Sequence, residues 1–455
     1  MRFAVLFVVL SAVLAVAGLY VHRRASGTFG LRPRARKLLG AAIFAGMGAT
    51  LLGRAMSSTF AGAIAEQVSV AGSMVSLAVI VSAVLLLGLD GANGLGWLAR
   101  RTLTRTRARA RADTDTDTAA VTATDTAAVT ATDTAAVTAT DPAAVTATDT
   151  DTDTATATDT DTATALPRPP VPGTMPRRAF LGRAAAGGAL FVGSSSSFYG
   201  ALFGRHDYQL EEVAIAVRGL ARTLDGLTIV QISDIHFGMF VGEPELRAAV
   251  ALVRRARPDL VVITGDMLDH DARFAPLLGK LVRALEPLPR YGVAVVAGNH
   301  DHYAGVDEVL ATARAAGATV LRNSARVIGD RGGAFALVGV DDLWARRLSS
   351  GHGPDLRRAL AMAPAGLPRV LLCHNPAFFP EASNEVALQL SGHTHGGQVN
   401  VGVRLADYVL PFGYVAGLYE RDGARLWVNR GFGTAGPPAR VGAPPEVTRV
   451  RLVAA

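Results

Sequence analysis

Apolar residues run almost unbroken through three stretches near the N-terminus, then break into short bursts in the second half of the chain. Phe3 to Val21 is almost wholly apolar, Leu38 to Gly53 is apolar but short, and Val68 to Leu89 is uncharged and rich in Val, Leu and Ala. A helix needs about 20 apolar residues to cross a bilayer's hydrocarbon, so about three spanning helices are expected within residues 1–100. A buried helical hairpin behind a signal peptide would leave the same trace. From Arg205 on the pattern changes. Short β-branched runs at Thr228–Ile232, Leu260–Thr264, Val293–Ala297, Val370–Leu372 and Leu388–Leu390 alternate with amphipathic stretches at Pro244–Ala256, Ala272–Glu286 and Val306–Ala316. Such alternation predicts an α/β fold with layered sheets.

Between these halves lies a tract of another kind. From Asp113 to Ala165 the chain is nearly all Thr, Ala, Asp and Val, and TDTAAVTA recurs with a period of eight. That period suits neither a heptad nor a solenoid unit. Without aromatic or large aliphatic side chains the tract cannot bury a core, so residues 101–176 are expected to be a disordered tether. The Pro-rich run LPRPPVPG (166–173) extends it as a stiffer spacer. Arg177-Arg178 then precedes a mildly apolar Gly/Ala/Ser-rich run ending near Gly204, which resembles a twin-arginine export signal placed internally. A fourth span with an arginine flank is the alternative. No A-x-A cleavage site follows, so residues 177–204 are expected to stay as an anchor.

Charge refines this picture. The formal net charge is +7, and the arginines cluster beside the apolar runs, at 23–36 and again at 100–111. Placed that way they orient a membrane protein by putting the basic loops on the cytoplasmic side, rather than gripping a phosphate backbone. No nucleic-acid partner is expected. The N-terminus is expected outside, and everything after Gly204 on the extracytoplasmic side of the cell's inner membrane. The spans hold no acidic or histidine residue apart from the marginal Glu66, so an ion path through them has little to use. Cys373 is the only cysteine, which excludes an intrachain disulfide.

The chemistry sits at the ends of the strand-like runs. SDIH follows Ile232, GD follows Thr264, GNHD follows Ala297, CHNP follows Leu372 and SGHTHGG follows Leu390. Polar residues just beyond strand C-termini converge on one edge of a layered sheet, where ligands bind. One such cluster is usually a turn; five, all drawn from Asp, His and Asn, point to a metal centre. Carboxylate, amide oxygen and imidazole suit divalent ions, and two ions about 4 Å apart stabilise both attacking and leaving oxygens at phosphorus. Asp266 is the candidate bridging carboxylate, and Cys373 reads as a small apolar residue beside His374. His270, His302 and His352 read as surface or supporting residues, with Asp269 and Asp271 within reach of a supporting role. Arg346-Arg347 reads as a solvated face. The loop Phe237–Phe240 is expected to pack against the sheet, with lipid contact as the alternative.

These motifs resemble those of the calcineurin-like metallophosphoesterase superfamily, matched as Asp234-x-His236, Gly265-Asp266, Gly298-Asn299-His300-Asp301, His374 and Gly392-His393-Thr394-His395 over roughly residues 205–455. The resemblance implies a four-layer α-β-β-α sandwich. It implies one metal on Asp234, His236, Asp266 and His395, and a second on Asp266, Asn299, His374 and His393. It further implies that His300 protonates or stabilises the leaving oxygen, with Asp301 orienting its ring. HTHGGQV (393–399), GLY (417–419) and RGFGTAGPPARVGAPPEVTRVRL (430–452) are similar to a membrane-associated bacterial phosphodiesterase-type branch. Related branches cleave the pyrophosphate of UDP-diacylglucosamine, one candidate substrate class.

The expected activity is hydrolysis of a phosphoric ester, a phosphodiester or pyrophosphate, by attack of a metal-bound hydroxide. The two divalent ions are manganese, iron or zinc, all of which tolerate these ligands. The expected partners are the substrate, lipid-linked in the envelope reading, and the bilayer; the sequence carries no sign of oligomeric state. The competing reading is a membrane-tethered sensor that keeps the fold without turnover.

Overall fold

The computed structural model describes residues 2–59, 63–128, 175–347 and 353–455. They form two compact units, one of residues 1–86 with 186–455 and one of residues 87–185. The N-terminal region is helical: α1 (Arg2–Phe29), α2 (Pro33–Thr59), α3 (Ala63–Ala128) and α4 (Arg177–Leu202). Small residues let these helices approach closely, as membrane helices do. A Cβ on Gly72 of α3 would come within 2.3 Å of the Thr50 nitrogen of α2, and one on Gly193 of α4 within 2.2 Å of Ser82 Oγ. Among the described residues two segments are long and apolar enough to cross a membrane, Pro33–Gly53 and Ile64–Thr106. The N-terminal apolar run lies on α1 and the run after Arg177-Arg178 on α4, neither of them one of those two.

Helix α3 does not stop where the apolar run does. It continues as one helix to Ala128, into the segment expected as a structureless tether. Lack of a core does not forbid a local helix, and the Ala- and Arg-rich text from Leu98 to Ala128 has neither Gly nor Pro to break one. The rest of the repeat, the Pro-rich spacer and His352 lie outside the described residues.

From Gly204 the chain builds two sheets from β1 (Gln209–Val217), β2 (Thr228–Ile232), β3 (Leu260–Thr264), β4 (Val293–Val296), β5 (Thr319–Val320), β6 (Ser324–Asp330), β7 (Gly333–Gly339), β8 (Arg369–Leu372), β9 (Leu388–Ser391), β10 (Gly417–Arg421), β11 (Ala424–Val428) and β12 (Glu446–Ala454). One sheet runs β1-β12-β2-β3-β4-β5 and the other β10-β11-β9-β8-β7-β6. Their facing sides share one core, where Ile229, Leu260, Val262 and Val296 meet Leu337, Val370, Leu372 and Leu390. Each such side chain, fully buried, contributes about 1.5–3 kcal/mol. Gln231 cross-links the sheets in this core, its Nε2 donating to Thr264 Oγ1 at 2.9 Å and to the Ser391 carbonyl at 2.9 Å.

Helices cover the outer faces. On the first sheet lie α5 (Glu243–Ala256), α6 (Ala275–Leu285) and, beyond the short α7 (Asn299–Ala304), α8 (Val306–Ala315). Helix α5 buries Leu246, Ala249, Val253 and Ala256, a stripe at helical spacing. Its start is capped by the Glu245 carboxylate, which accepts from the Gly242 N–H at 2.8 Å. The second sheet is covered by Leu356, Ala359, Phe378 and Ala382 from the short helices after β7 and β8. The fold is therefore the four-layer α-β-β-α sandwich.

Candidate metal centre

Strands β2, β3 and β4 are parallel neighbours in one sheet, and β8 and β9 are parallel neighbours in the other. Their C-terminal ends carry Asp234 and His236, Asp266, Asn299, His374, and His393 with His395. The turns that aim these side chains are strained. Asp234, His236, Asp266, His393 and His395 all have positive φ, from 50° to 74°. Non-glycine residues adopt this region at a cost, and such strain gathers at functional sites. Glycines supply the clearance: a Cβ on Gly298 would lie 2.2 Å from Asp266 Oδ1, and one on Gly392 2.2 Å from Asp234 Oδ2.

Three trios of donor atoms result, Asp234/His236/His395, Asp266/His374/His393 and, sharing His236, His236/Asp269/His300, each with its ligand atoms within 4.8 Å of one another; the first two hold six of the seven expected ligands. Asp266 stands between them, its Oδ2 3.6 Å from His236 Nε2 and 3.2 Å from His374 Nε2. His236 Nε2 faces His395 Nε2 at 3.0 Å, and His393 Nδ1 faces His374 Nε2 at 3.2 Å. Asp234 Oδ1 is 3.3 Å from His395 Nε2. Asn299 Oδ1 is buried with no hydrogen-bond partner among the described residues, an orphan acceptor of the kind a cation would satisfy. His374 Nδ1 donates to the Thr264 carbonyl at 2.8 Å, which orients the ring with Nε2 toward Asp266. The donor set thus fits two divalent ions. Burial opposes it, yet the imidazoles of His374, His300 and His236 hold Asp266 well below the usual carboxylate range.

His300 and Asp301 part company. His300 Nδ1 donates to the Asp269 carbonyl at 2.6 Å, and Asp269 Oδ1 stands 3.5 Å away. Burial lowers the pKa of His300, but Asp269 and the charge of Asp266 outweigh it and raise it to about 9. The Asp301 carboxylate instead accepts from the N–H groups of Met267, Leu268 and Gly298 at 2.9, 3.1 and 2.9 Å. Asp301 as the orienter of His300 is thereby corrected, since consecutive side chains on a helix do not face the same way. Its work is to cap α7 and tie it to the turn after β3.

Other residues come to the site, Asp269 and His302 as the supporting residues expected and Asp341, Asp342 and Arg440 without a local sequence signal. Asp269 gathers His236, His270 and His300 within 3.6, 2.9 and 3.5 Å. Asp341 and Asp342 follow β7, the parallel neighbour of β8; burial raises the Asp342 pKa to about 6. His302 is buried and bonded to Asp341 at 2.8 Å. Phe237 is buried in the core. The main omission is Arg440, fully buried, whose Nη1 donates to the His395 carbonyl at 2.9 Å and whose Nη2 lies 2.9 Å from His395 Nδ1. A guanidinium only donates, so that contact leaves the ring proton on His395 Nε2. Ligation through Nε2 requires Arg440 to favour the Gly433 carbonyl, which its Nη2 also reaches.

A double-sheet sandwich with this donor set at its strand ends defines a metallophosphoesterase. Residues 227–397 match the Calcineurin-like phosphoesterase family. The chain is 32% identical over 288 residues to the uncharacterized metallophosphoesterase YkuE of Bacillus subtilis, covering 60% of this chain and 96% of that one. A Danio rerio transmembrane protein with metallophosphoesterase domain is 35% identical over 277 residues, 58% of this chain and 62% of its own length. The Escherichia coli phosphodiesterase YaeI is 32% identical over 234 residues, 50% of this chain and 82% of its own. The chain belongs to the calcineurin-like metallophosphoesterase family. The transmembrane relative and the two long apolar segments agree on association with a membrane.

Proposed function

We propose that this chain is a membrane-anchored hydrolase that splits phosphodiester or pyrophosphate bonds, in envelope lipid precursors, at a two-ion centre. Asp234, His236, Asp266 and His395 would hold one ion, and Asp266, Asn299, His374 and His393 the other. The observation that carries this reading is Asp266 Oδ2 lying between His236 Nε2 and His374 Nε2, with one donor trio on either side. Two divalent ions there would bring the pKa of a coordinated water to about 7 and offset charge on the phosphoryl oxygens. The protein's own part is acid catalysis and positioning. His300, its Nδ1 donating to the Asp269 carbonyl, would offer a second proton from Nε2 to the departing oxygen in its protonated form, which its raised pKa of about 9 favours. The diester preference follows the phosphodiesterase relative. The lipid preference follows the apolar helices joined to the domain.

For topology we propose that the arginines at 23–36, 100–111 and 177–178 lie in the cytoplasm and the domain beyond Gly204 lies outside, by the excess of positive charge. The test is hydrolysis of bis-p-nitrophenyl phosphate and p-nitrophenyl phosphate by the purified chain with and without manganese. Metal-dependent diester hydrolysis that Asp266→Asn abolishes is expected. Absence of bound metal in the wild-type chain overturns the reading. Metal bound without turnover of any ester would favour the sensor, against which the presence of all seven candidate ligands weighs.

A further inference from the structure

Directly beyond His395 the chain enters a segment whose side chains break the usual rule of burial. Tyr408 is 80% exposed, Val409 76% and Phe412 62%, with Val403 and Leu405 more than half exposed beside them. This cluster does not come from a loose loop. The segment is pinned at its start by Asn400 Nδ2, which donates to the Gly396 carbonyl at 2.9 Å. In its middle Arg404 pairs with Asp407 at 2.8 Å. At its end Tyr414 packs into an apolar cluster with Phe379 and Val428. A backbone held this firmly presents its apolar side chains outward. Contiguous exposed apolar surface of this kind marks an interaction site.

Its surroundings name the occupant. Val399 and Val401, at the root of the segment, share one apolar cluster with Ala439, with Ala201 of α4 and with Met74, Leu77 and Val81 of α3. Leu77 and Val81 belong to the apolar segment Ile64–Thr106. A Cβ on Gly204, where α4 passes into the domain, would lie 2.1 Å from the Arg440 carbonyl. The root of the segment is therefore packed on the apolar helices, and its Ala406 lies beside Gly397, two residues beyond His395, where a Cβ would come within 3.2 Å of it. Tyr and Phe on a short helical turn suit the boundary between headgroups and acyl chains.

We propose that Val403–Phe412 is a membrane-docking strap that inserts into the bilayer interface and seats the mouth of the metal centre on the lipid surface. This rests on the membrane-associated reading of α3 and α4, and not on the chemistry of the site. Cys373 is fully buried, so Phe412→Cys and Val409→Cys each place one accessible thiol on the strap. Val327→Cys places a control on β6, the edge strand of the second sheet. The full chain, labelled with an environment-sensitive fluorophore, is placed in nanodiscs of phosphatidylcholine and phosphatidylglycerol with or without doxyl-labelled phosphatidylcholine.

The expected result is quenching by the doxyl lipid several-fold stronger at 409 and 412 than at 327. Equal quenching at all three positions overturns the strap. A strap label shielded from water but not quenched by the doxyl lipid also overturns it, and would assign the surface to a second copy of the chain or another protein. No outcome depends on hydrolysis, so failure of the docking surface stays distinct from failure of the phosphoesterase reading.

Discussion

At the scale of single residues, the candidate donors could be picked out because each lies within a few positions of a strand's C-terminal end, and strand ends announce themselves in sequence. Partnerships were less legible. Adjacency suggested Asp301 for His300, but α7 turns the two apart and Asp269, thirty-one positions earlier, takes the ring. The Asp269 carboxylate stands 3.5 Å from His300 and 3.6 Å from His236, so Asp269→Asn, which keeps the backbone bond to His300, is expected to lower kcat about 100-fold and to weaken metal affinity about 10-fold, read by single-turnover kinetics and mass spectrometry. Asp301→Ala is expected instead to lower stability by 1 kcal/mol or more, about the worth of a helix cap, read by chemical denaturation; the reverse pattern would return Asp301 to the acid's side. Arg440, forty-five positions from His395, could be placed only by the closing of the loop that precedes β12. Arg440→Lys keeps the charge but loses the fork that holds both the ring and the carbonyl of His395. The contact to the ring opposes ligation through Nε2, so the loss falls on the anchored His395 carbonyl, and metal affinity is expected to weaken about 10-fold, measured by titration of the metal-stripped chain.

At the scale of elements, the strands that alternate with helices were readable from periodicity, because each buries both faces between layers. The strands from β5 to β7 and from β10 to β12 were not. Their positions are set by pairing with distant partners, as β1 pairs β12 in parallel, and β6 is partly exposed with no continuous apolar run. That missed region carries an acid-sensitive tie. Asp341, after β7, accepts from His302 of α7 at 2.8 Å and from Arg322 at 2.9 Å. Burial works against it, yet these two partners hold its carboxyl below the usual range. It binds its proton less readily folded than unfolded. The stability it confers is thus complete above the unfolded pKa of about 3.9 and lost as pH falls through the lower folded value. Asp341→Asn is expected to cost about 3 kcal/mol at neutral pH, the penalty for breaking a buried pair, and to flatten the acid limb of the stability curve. Urea melts between pH 3 and pH 7 check both; an unchanged acid limb would place the sensitivity elsewhere.

At the scale of the whole molecule, the apolar runs 38–53 and 68–89 fall on the two segments long and apolar enough to cross a membrane, whereas the run of α3 on to Ala128 was not legible, since a helix closes its backbone hydrogen bonds within itself and needs no apolar pattern to do so. The larger consequence concerns how far the fold depends on its ions. Two sheets, five strand ends and the loop bearing Arg440 converge on one cluster, and without cations that cluster combines several costs. Asp234 and Asp266 lie buried, Asn299 Oδ1 is unpaired among the described residues, and five left-handed turns store strain. Burial and its neighbour His374 press His393 down to about 3, so that ring stays neutral and cannot offset the carboxylates, though it is ready to ligate. Ions that bind the folded state alone stabilise it by mass action, about 2.7 kcal/mol at a hundred times Kd. For a domain of some 250 residues that amounts to roughly 5–10 °C in Tm. Chelation is expected to lower the domain's melting temperature by that amount and manganese to restore it. In Asp266→Asn, which lacks the shared carboxylate, manganese should add little. A chelator-insensitive Tm in the wild-type chain would mean that the sandwich holds these strand ends together without help, and that the strain in its turns is balanced by packing alone.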